Sequence, residues 1–260
     1  ERRAFFLVTV LGAMLTGVPA HGARITVTST GDSIAVDGVV TLREAIASAS
    51  GNASVNIDVV PVGAYGSDTI VFSATVFAAP RKTITLNGTQ LPTLVGENGA
   101  TLTITAPAAG VEISGNNVSR IFEIDGGTIT MTGLTLRNGN VGDGDGGAVY
   151  NSRGLLLMDS CTLTANNAGL GGAIYSNGFF FAGYPPNTIL RNCTISGNTA
   201  LGDGGGVYNV AGPMQIDACT ITQNAADQGF YNFGKGGGVF SNAPYTNTRV
   251  RNSIIAGNTR

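Results

Sequence analysis

Charge, histidine and tryptophan are all scarce in this chain of 260 residues: 12% of residues are charged, one is histidine and none is tryptophan. The formal net charge is −2 and the Lys and Arg residues are scattered. No basic stripe exists to hold a phosphate backbone, which removes nucleic acid from the expected partners. The single histidine, His21, falls at an expected processing site, so the mature chain has no histidine-dependent chemistry. Three cysteines are an odd number, which would leave one thiol outside any set of disulfides. No segment beyond the first two dozen residues is long and apolar enough to span a bilayer as a helix, so no transmembrane helix is expected in the mature chain. What the chain has in quantity is glycine, 39 residues, together with Thr, Asn, Val and Ile. That mixture favours many short strands joined by tight turns over helices.

The first residues read as an export signal. "ERRAFFLVTVLGAMLTGVPAHGA" places an Arg pair before an apolar run and ends in small residues, so residues 1–22 are expected to be removed near Ala20 or Gly22. The chain opens without Met and closes on "SIIAGNTR", partway through a repeat, so more repeats or an anchoring domain are expected downstream.

The repeat is written twice over. "GGAVYN" at 146 returns as "GGAIYS" at 171, "GGGVYN" at 204 and "GGGVFS" at 236. A second block follows each copy: "DSCTLTANNA", "RNCTISGNTA", "DACTITQNAA" and "RNSIIAGNTR". Within it Cys161, Cys193, Cys219 and Ser253 each precede an asparagine by five residues. Those asparagines, Asn166, Asn198, Asn224 and Asn258, are spaced by 32, 26 and 34, so the block is rigid while the links vary in length. Such a pattern belongs to a solenoid with loops on its sides.

Period-2 alternation places the Cys column and the Leu163, Ile195, Ile221, Ile255 column on one inward face, with threonines outside. The same parity would bury Asp159, Arg191, Asp217 and Arg251. A buried unpaired charge is too costly, so a corner is predicted between 159 and 161 in each repeat, turning these residues outward to pair with one another along the axis. Corners at fixed points with like stacked on like define an all-β, single-stranded parallel β-helix, right-handed by analogy with known members, occupying 60–260. Ser253 shows that the Cys column needs a small residue, and parallel side chains are badly aimed for a disulfide, so buried free thiols are expected.

"GGAVYN" with "CTLTANNA" resembles the repeat of the polymorphic outer-membrane proteins and their bacterial β-helix relatives. "VTLREAIASA" at 40–49 is similar to the CSLREA segment of secreted proteins of that kind, with Val40 and Thr41 standing in place of its Cys and Ser. The resemblance implies an exported fold on the cell surface, at the outer membrane or outside the cell, and does not itself imply an activity. Read physically, Thr41 and Glu44 form a capping box, and Leu42, Ala45, Ile46 and Ala49 one apolar stripe. A short helix over 41–49, with the strand at 24–30, is expected to cap the solenoid within a segment 23–59.

Two functions compete. The first is binding, adhesion or scaffolding toward a glycan or another cell-surface partner. Its candidate contacts are the aromatic loops at 179–187 and 226–235, above all Phe180, Tyr184, Phe230 and Tyr231. The column Tyr150, Tyr175, Tyr208, Phe240 joins them if it faces outward and can stack on sugar rings; parity alone leaves its facing open. The second is a polysaccharide lyase or glycoside hydrolase of the pectin-degrading β-helix type, which needs paired carboxylates or carboxylate-bound calcium. For calcium the candidates are Asp143 and Asp145 in "GDGDGG", while Asp203 with Lys235 in the neighbouring repeats reads as a surface ion pair. No cofactor is otherwise expected.

Overall fold

The computed structural model describes residues 22–96, 100–178, 187–226, 234–242 and 246–260. The described residues are mostly β with one helix, and among them every ladder between strands is parallel. Apart from a two-stranded sheet of Asn167–Ala168 and Thr199–Ala200, the strands fall into three stacks, which the chain visits in turn from Phe122 onward. The first runs from Gly22–Val27 to Thr246–Arg251, the second from Lys82–Thr85 to Ile254–Ala256, and the third from Phe122–Asp125 to Val239–Ser241. The long strand Val207–Asp217 belongs to two of them. Its start pairs in the third stack, its end in the first, and the bend falls near Gly212, whose φ is +84°.

Like residues stack on like in the interior. In the first stack Ile25, Ile70, Ile104, Met131, Met158, Leu190, Ile216 and Val250 are successive register partners. In the second the column is Ile84, Ile113, Leu136, Leu163, Ile195, Ile221 and Ile255, as the alternation of "CTLT" and its copies predicts. The third contributes Phe122, Val149, Ile174, Val207 and Val239. All but Val239, Val250 and Ile255 are buried. Each aliphatic side chain taken from water contributes about 1.5–3 kcal/mol, and no single repeat could bury its own.

The predicted corner is present. Ser160, Asn192, Ala218 and Asn252 have φ between +48° and +54° and separate the first stack from the second, so Asp159, Arg191, Asp217 and Arg251 turn outward. These charges are register partners, but the expected ion pairing along them is not formed; none of the four salt bridges among the described residues joins them. The corner side chains lie nearer. Asn192 Nδ2 donates to Asp159 Oδ1 at 3.1 Å, as Asn252 Nδ2 does to Asp217 Oδ1 at 3.1 Å, and the Asn192 and Ser160 donors hold the Asp159 carboxyl below its usual range.

Cys161, Cys193 and Cys219 are buried, free thiols at the start of the second stack, with Ser253 continuing their column. The Cys193 thiol donates to the Arg191 carbonyl at 3.0 Å, across the corner. Its neighbour Cys161 and burial together push its pKa up to about 12, and Cys219 is pushed upward for the same reasons.

The asparagines five residues on form an interior ladder that alternation does not announce. Asn166, Asn198 and Asn224 are at most 1% exposed. Each carboxamide oxygen accepts from the previous repeat: Asn198 Oδ1 from Asn166, Asn224 Oδ1 from Asn198, and Asn258 Oδ1 from Asn224, at 2.8–2.9 Å. The amide groups also donate to Leu136, Leu163, Ile195 and Ile221 carbonyls, which satisfies the second corner of each repeat.

The helix Leu42–Ser50 begins where the capping box places it. Thr41 Oγ1 accepts from the Glu44 N–H, and Glu44 Oε2 accepts from the Thr41 N–H at 2.8 Å. Leu42, Ala45, Ile46 and Ala49 are buried against the first two strands of the first stack. Arg43 ties the helix to the next layer by pairing with Asp32 at 2.8 Å and donating to the Gln90 carbonyl at 2.8 Å.

Candidate functional site

Each position of the repeated hexapeptide has a separate physical task, seen in the copy at 171–176. Gly171 has φ +61°, a left-handed turn that brings the chain into the third stack. Gly172 has no left-handed φ, but a Cβ there would run into the carbonyls of Gly205 and Thr199 in the next repeat. Ile174 points inward and is fully buried. Tyr175 points outward, and Ser176 inward, where its hydroxyl meets Thr188 Oγ1 at 2.8 Å. Asn151 and Asn209 take the Ser176 position in their own copies and are buried.

The aromatic column therefore faces outward, since Val149, Ile174 and Val207 hold the inward positions. Tyr150, Tyr175, Tyr208 and Phe240 form one continuous stack. Ring centroids are 5.1, 5.5 and 5.2 Å apart in order, with interplanar angles of 7°, 15° and 16°. Tyr208 is 9% exposed, and the other three are half-buried. The ring faces are consumed by neighbouring rings. What the column presents to the outside is a strip of ring edges and phenol oxygens. Among the described residues the three phenol hydroxyls have no hydrogen-bond partner, and none is a buried unsatisfied atom.

One end of the strip is closed by Arg120, whose guanidinium carbon lies 5.1 Å from the Tyr150 ring centroid. Arg120 donates to the Asp145 carbonyl at 2.8 Å and to Gln90 Oε1 at 2.8 Å, and pairs with Glu123 at 3.7 Å. Glu123 is the register partner of Tyr150, so the aromatic column runs directly into this pair. Arg120 also lines an open groove of about 570 Å³ with Gln90, Ser119 and Asn140. The buried Ser119 hydroxyl there has no partner among the described residues. None of these residues carries the hexapeptide signature, which is why the sequence reading missed them; "IFEID" precedes the first GG copy.

Carboxylates flank the strip. Asp145 bridges Leu170 in the next repeat, and the Gly171 and Gly204 amides continue that row to Asp203 and Lys235. Burial raises the Asp145 pKa, with Arg120 opposing. Burial first, and then the negative charge of Asp145, push Tyr175 up to about 12; Tyr208 rises through burial, Asp203 and Asp145. The expected Asp203 and Lys235 ion pair is not formed. Instead the Lys235 backbone N–H donates to Asp203 Oδ1 at 2.7 Å, so the carboxylate closes the turn and the ammonium is left to solvent. Asp143 is exposed and Asp145 half-buried, and no third His, Cys, Asp or Glu joins them in a metal-binding cluster among the described residues.

Of the sequence-derived candidates, Tyr150, Tyr175 and Tyr208 come together in one strip. Phe180, Tyr184, Phe230 and Tyr231 lie outside the described residues. A scan against protein-family models, a search of curated proteins and a search of solved structures each returned no match.

Proposed function

We propose that this chain is part of an exported, right-handed parallel β-helix that works at the cell surface or outside the cell as a binding and adhesion scaffold. Its contact surface is the outer strip Tyr150, Tyr175, Tyr208, Phe240, and its partner is a hydroxyl-rich glycan surface. The observation that carries the reading is the outward aromatic column itself. Other outer positions of these repeats are held mostly by Thr, Asp, Arg and Gln, with Leu155, Leu157 and Ile189 as apolar exceptions in the first stack; four successive rings on one outer line are not needed for solubility. The repeat and LREA resemblances, the parallel stacks and the leader-like residues 1–22 support the same reading.

The mode of contact follows from the geometry. Phenol hydroxyls donate to and accept from sugar hydroxyls, Asp145 and Asp203 accept along the rim, and the ring edges supply apolar contact. Arg120 and the polar groove beside it terminate the strip. Affinity electrophoresis of the purified chain through gels cast with neutral and with acidic polysaccharides tests this. Retardation in at least one gel, lost on Tyr150→Ser with Tyr175→Ser, is the expected result; equal mobility in every gel contradicts it.

A further inference from the structure

Asp68 is 1% exposed, and its carboxylate is half-satisfied. Oδ1 accepts from the Ala23 N–H at 2.8 Å and the Gly66 N–H at 2.9 Å, while Oδ2 is buried with no partner among the described residues. No salt bridge among the described residues involves Asp68. A buried carboxylate oxygen left bare costs about 1–3 kcal/mol or more, so the arrangement calls for a further donor, best a cation. Burial accordingly pushes this carboxyl above its ordinary range, against the pull of the two amides.

The nitrogen in contact with Asp68 belongs to the residue that follows the leader-like segment. Ala20 and Gly22 supply small residues three before and one before the Gly22–Ala23 bond, the pattern an export signal peptidase reads. Locally the ladder also breaks at Ala23. Gly22 lies opposite Ala64 but Arg24 opposite Thr69, and within that irregularity the Ala23 N–H leaves the ladder for the carboxylate. The Ala23 side chain is fully buried.

We infer that the exported precursor is cut between Gly22 and Ala23, and that the α-ammonium group so formed on Ala23 becomes the counter-ion of the buried Asp68. This rests on the proposed export of the chain. A signal peptidase and one water supply the step. The Gly22 carbonyl carbon takes the water oxygen and leaves as a carboxylate, and the Ala23 nitrogen takes both water hydrogens, becoming a three-donor ammonium at neutral pH. One donor retains the bond to Oδ1, and the others meet the bare Oδ2 in the space that Gly22 vacates. Processing thus completes the interior, and the leader end is fastened to the second strand of the first stack.

The test begins with the full-length precursor expressed in an exporting bacterium and amino-terminal sequencing of the exported chain. The expected first residue is Ala23. An exported chain beginning elsewhere overturns this inference alone; an uncut chain retained inside the cell overturns the export reading and this inference with it. The pairing is tested separately on chains released in vitro to begin at Ala23 or at Gly22. An ion pair that raises the α-amine pKa by one unit makes its acylation at neutral pH about tenfold slower. The Ala23 chain is expected to show that protection and to lose it on Asp68→Asn, while the Gly22 chain reacts at the ordinary rate with either residue at 68. Equal rates for the Ala23 and Gly22 chains, a comparison that needs no substitution, would overturn the pairing.

Discussion

Asn198 Oδ1 accepts two hydrogen bonds from Asn166, one from its backbone N–H at 3.0 Å and one from its side-chain Nδ2 at 2.9 Å. A single buried oxygen thus fastens one repeat to the one before it. Asn198→Ala removes that acceptor together with the donor to the Leu163 carbonyl, orphaning several buried groups at once. At about 1–3 kcal/mol for each orphan, the expected loss in urea unfolding is about 3 kcal/mol. The corner variant Asn192→Ala, which is exposed, is expected to lose about 1 kcal/mol or less.

The second glycine of the hexapeptide has no unusual φ, so its requirement is close approach alone. Gly172→Ala would drive a methyl group into the Gly205 carbonyl. A drop of about 1–3 kcal/mol, with strand content unchanged by circular dichroism, is the expected outcome. A neutral effect would show that the repeats are less tightly stacked than described.

Thiol reagents should find nothing in the native chain. Cys161, Cys193 and Cys219 are at most 2% exposed, and the latter two have raised pKa values, so labelling should be absent until denaturant is added and should then reach all three. Cys193→Ser is expected to be tolerated with a loss of about 1 kcal/mol, because Ser253 already occupies the same column. Intermediate labelling without denaturant would contradict the buried column.

Tyr175 provides a pH signature. Its folded pKa of about 12 lies above the ordinary value of 10.0, so between these values the folded chain holds a proton that the unfolded chain has released. Stability from this group is full below pH 10 and declines as pH rises toward 12. Phenolate absorbance should show a late-titrating tyrosine that Tyr175→Phe removes. The same substitution should flatten the loss of stability over that window.

Much of this was legible in the sequence because the repeats write it several times. The inward Leu163 column, the corner between 159 and 161, the buried thiols and the Thr41–Glu44 capping box all follow from parity, charge cost or local hydrogen bonding, which a single strand or turn expresses by itself. The Tyr150 column was ambiguous because Val and Tyr are both apolar enough to point inward; the fully buried Ile174 beside Tyr175 decides it. The Asn166 ladder and the Arg120 cap were not legible. A buried asparagine looks like a turn residue until its neighbour one repeat away is in place, and Arg120 reaches Tyr150 from a repeat without the GG signature. The outward charges misled in a smaller way: register was right, but corner asparagines are nearer than the opposite charge.

The division of the third stack into a structural inner side and a binding outer side is tested most directly on adjacent residues. Ile174 and Tyr175 share a strand and face opposite ways. Polysaccharide retardation and thermal unfolding should be measured together on Ile174→Ser and Tyr175→Ser. The account predicts that Ile174→Ser, which places a hydroxyl and a void in the interior, loses about 3–5 kcal/mol. It predicts that Tyr175→Ser loses no more than about 1.5 kcal/mol while abolishing retardation. Retardation that survives Tyr175→Ser, or a fall in stability matching that of Ile174→Ser, would mean that the outer ladder is packing and not a contact surface.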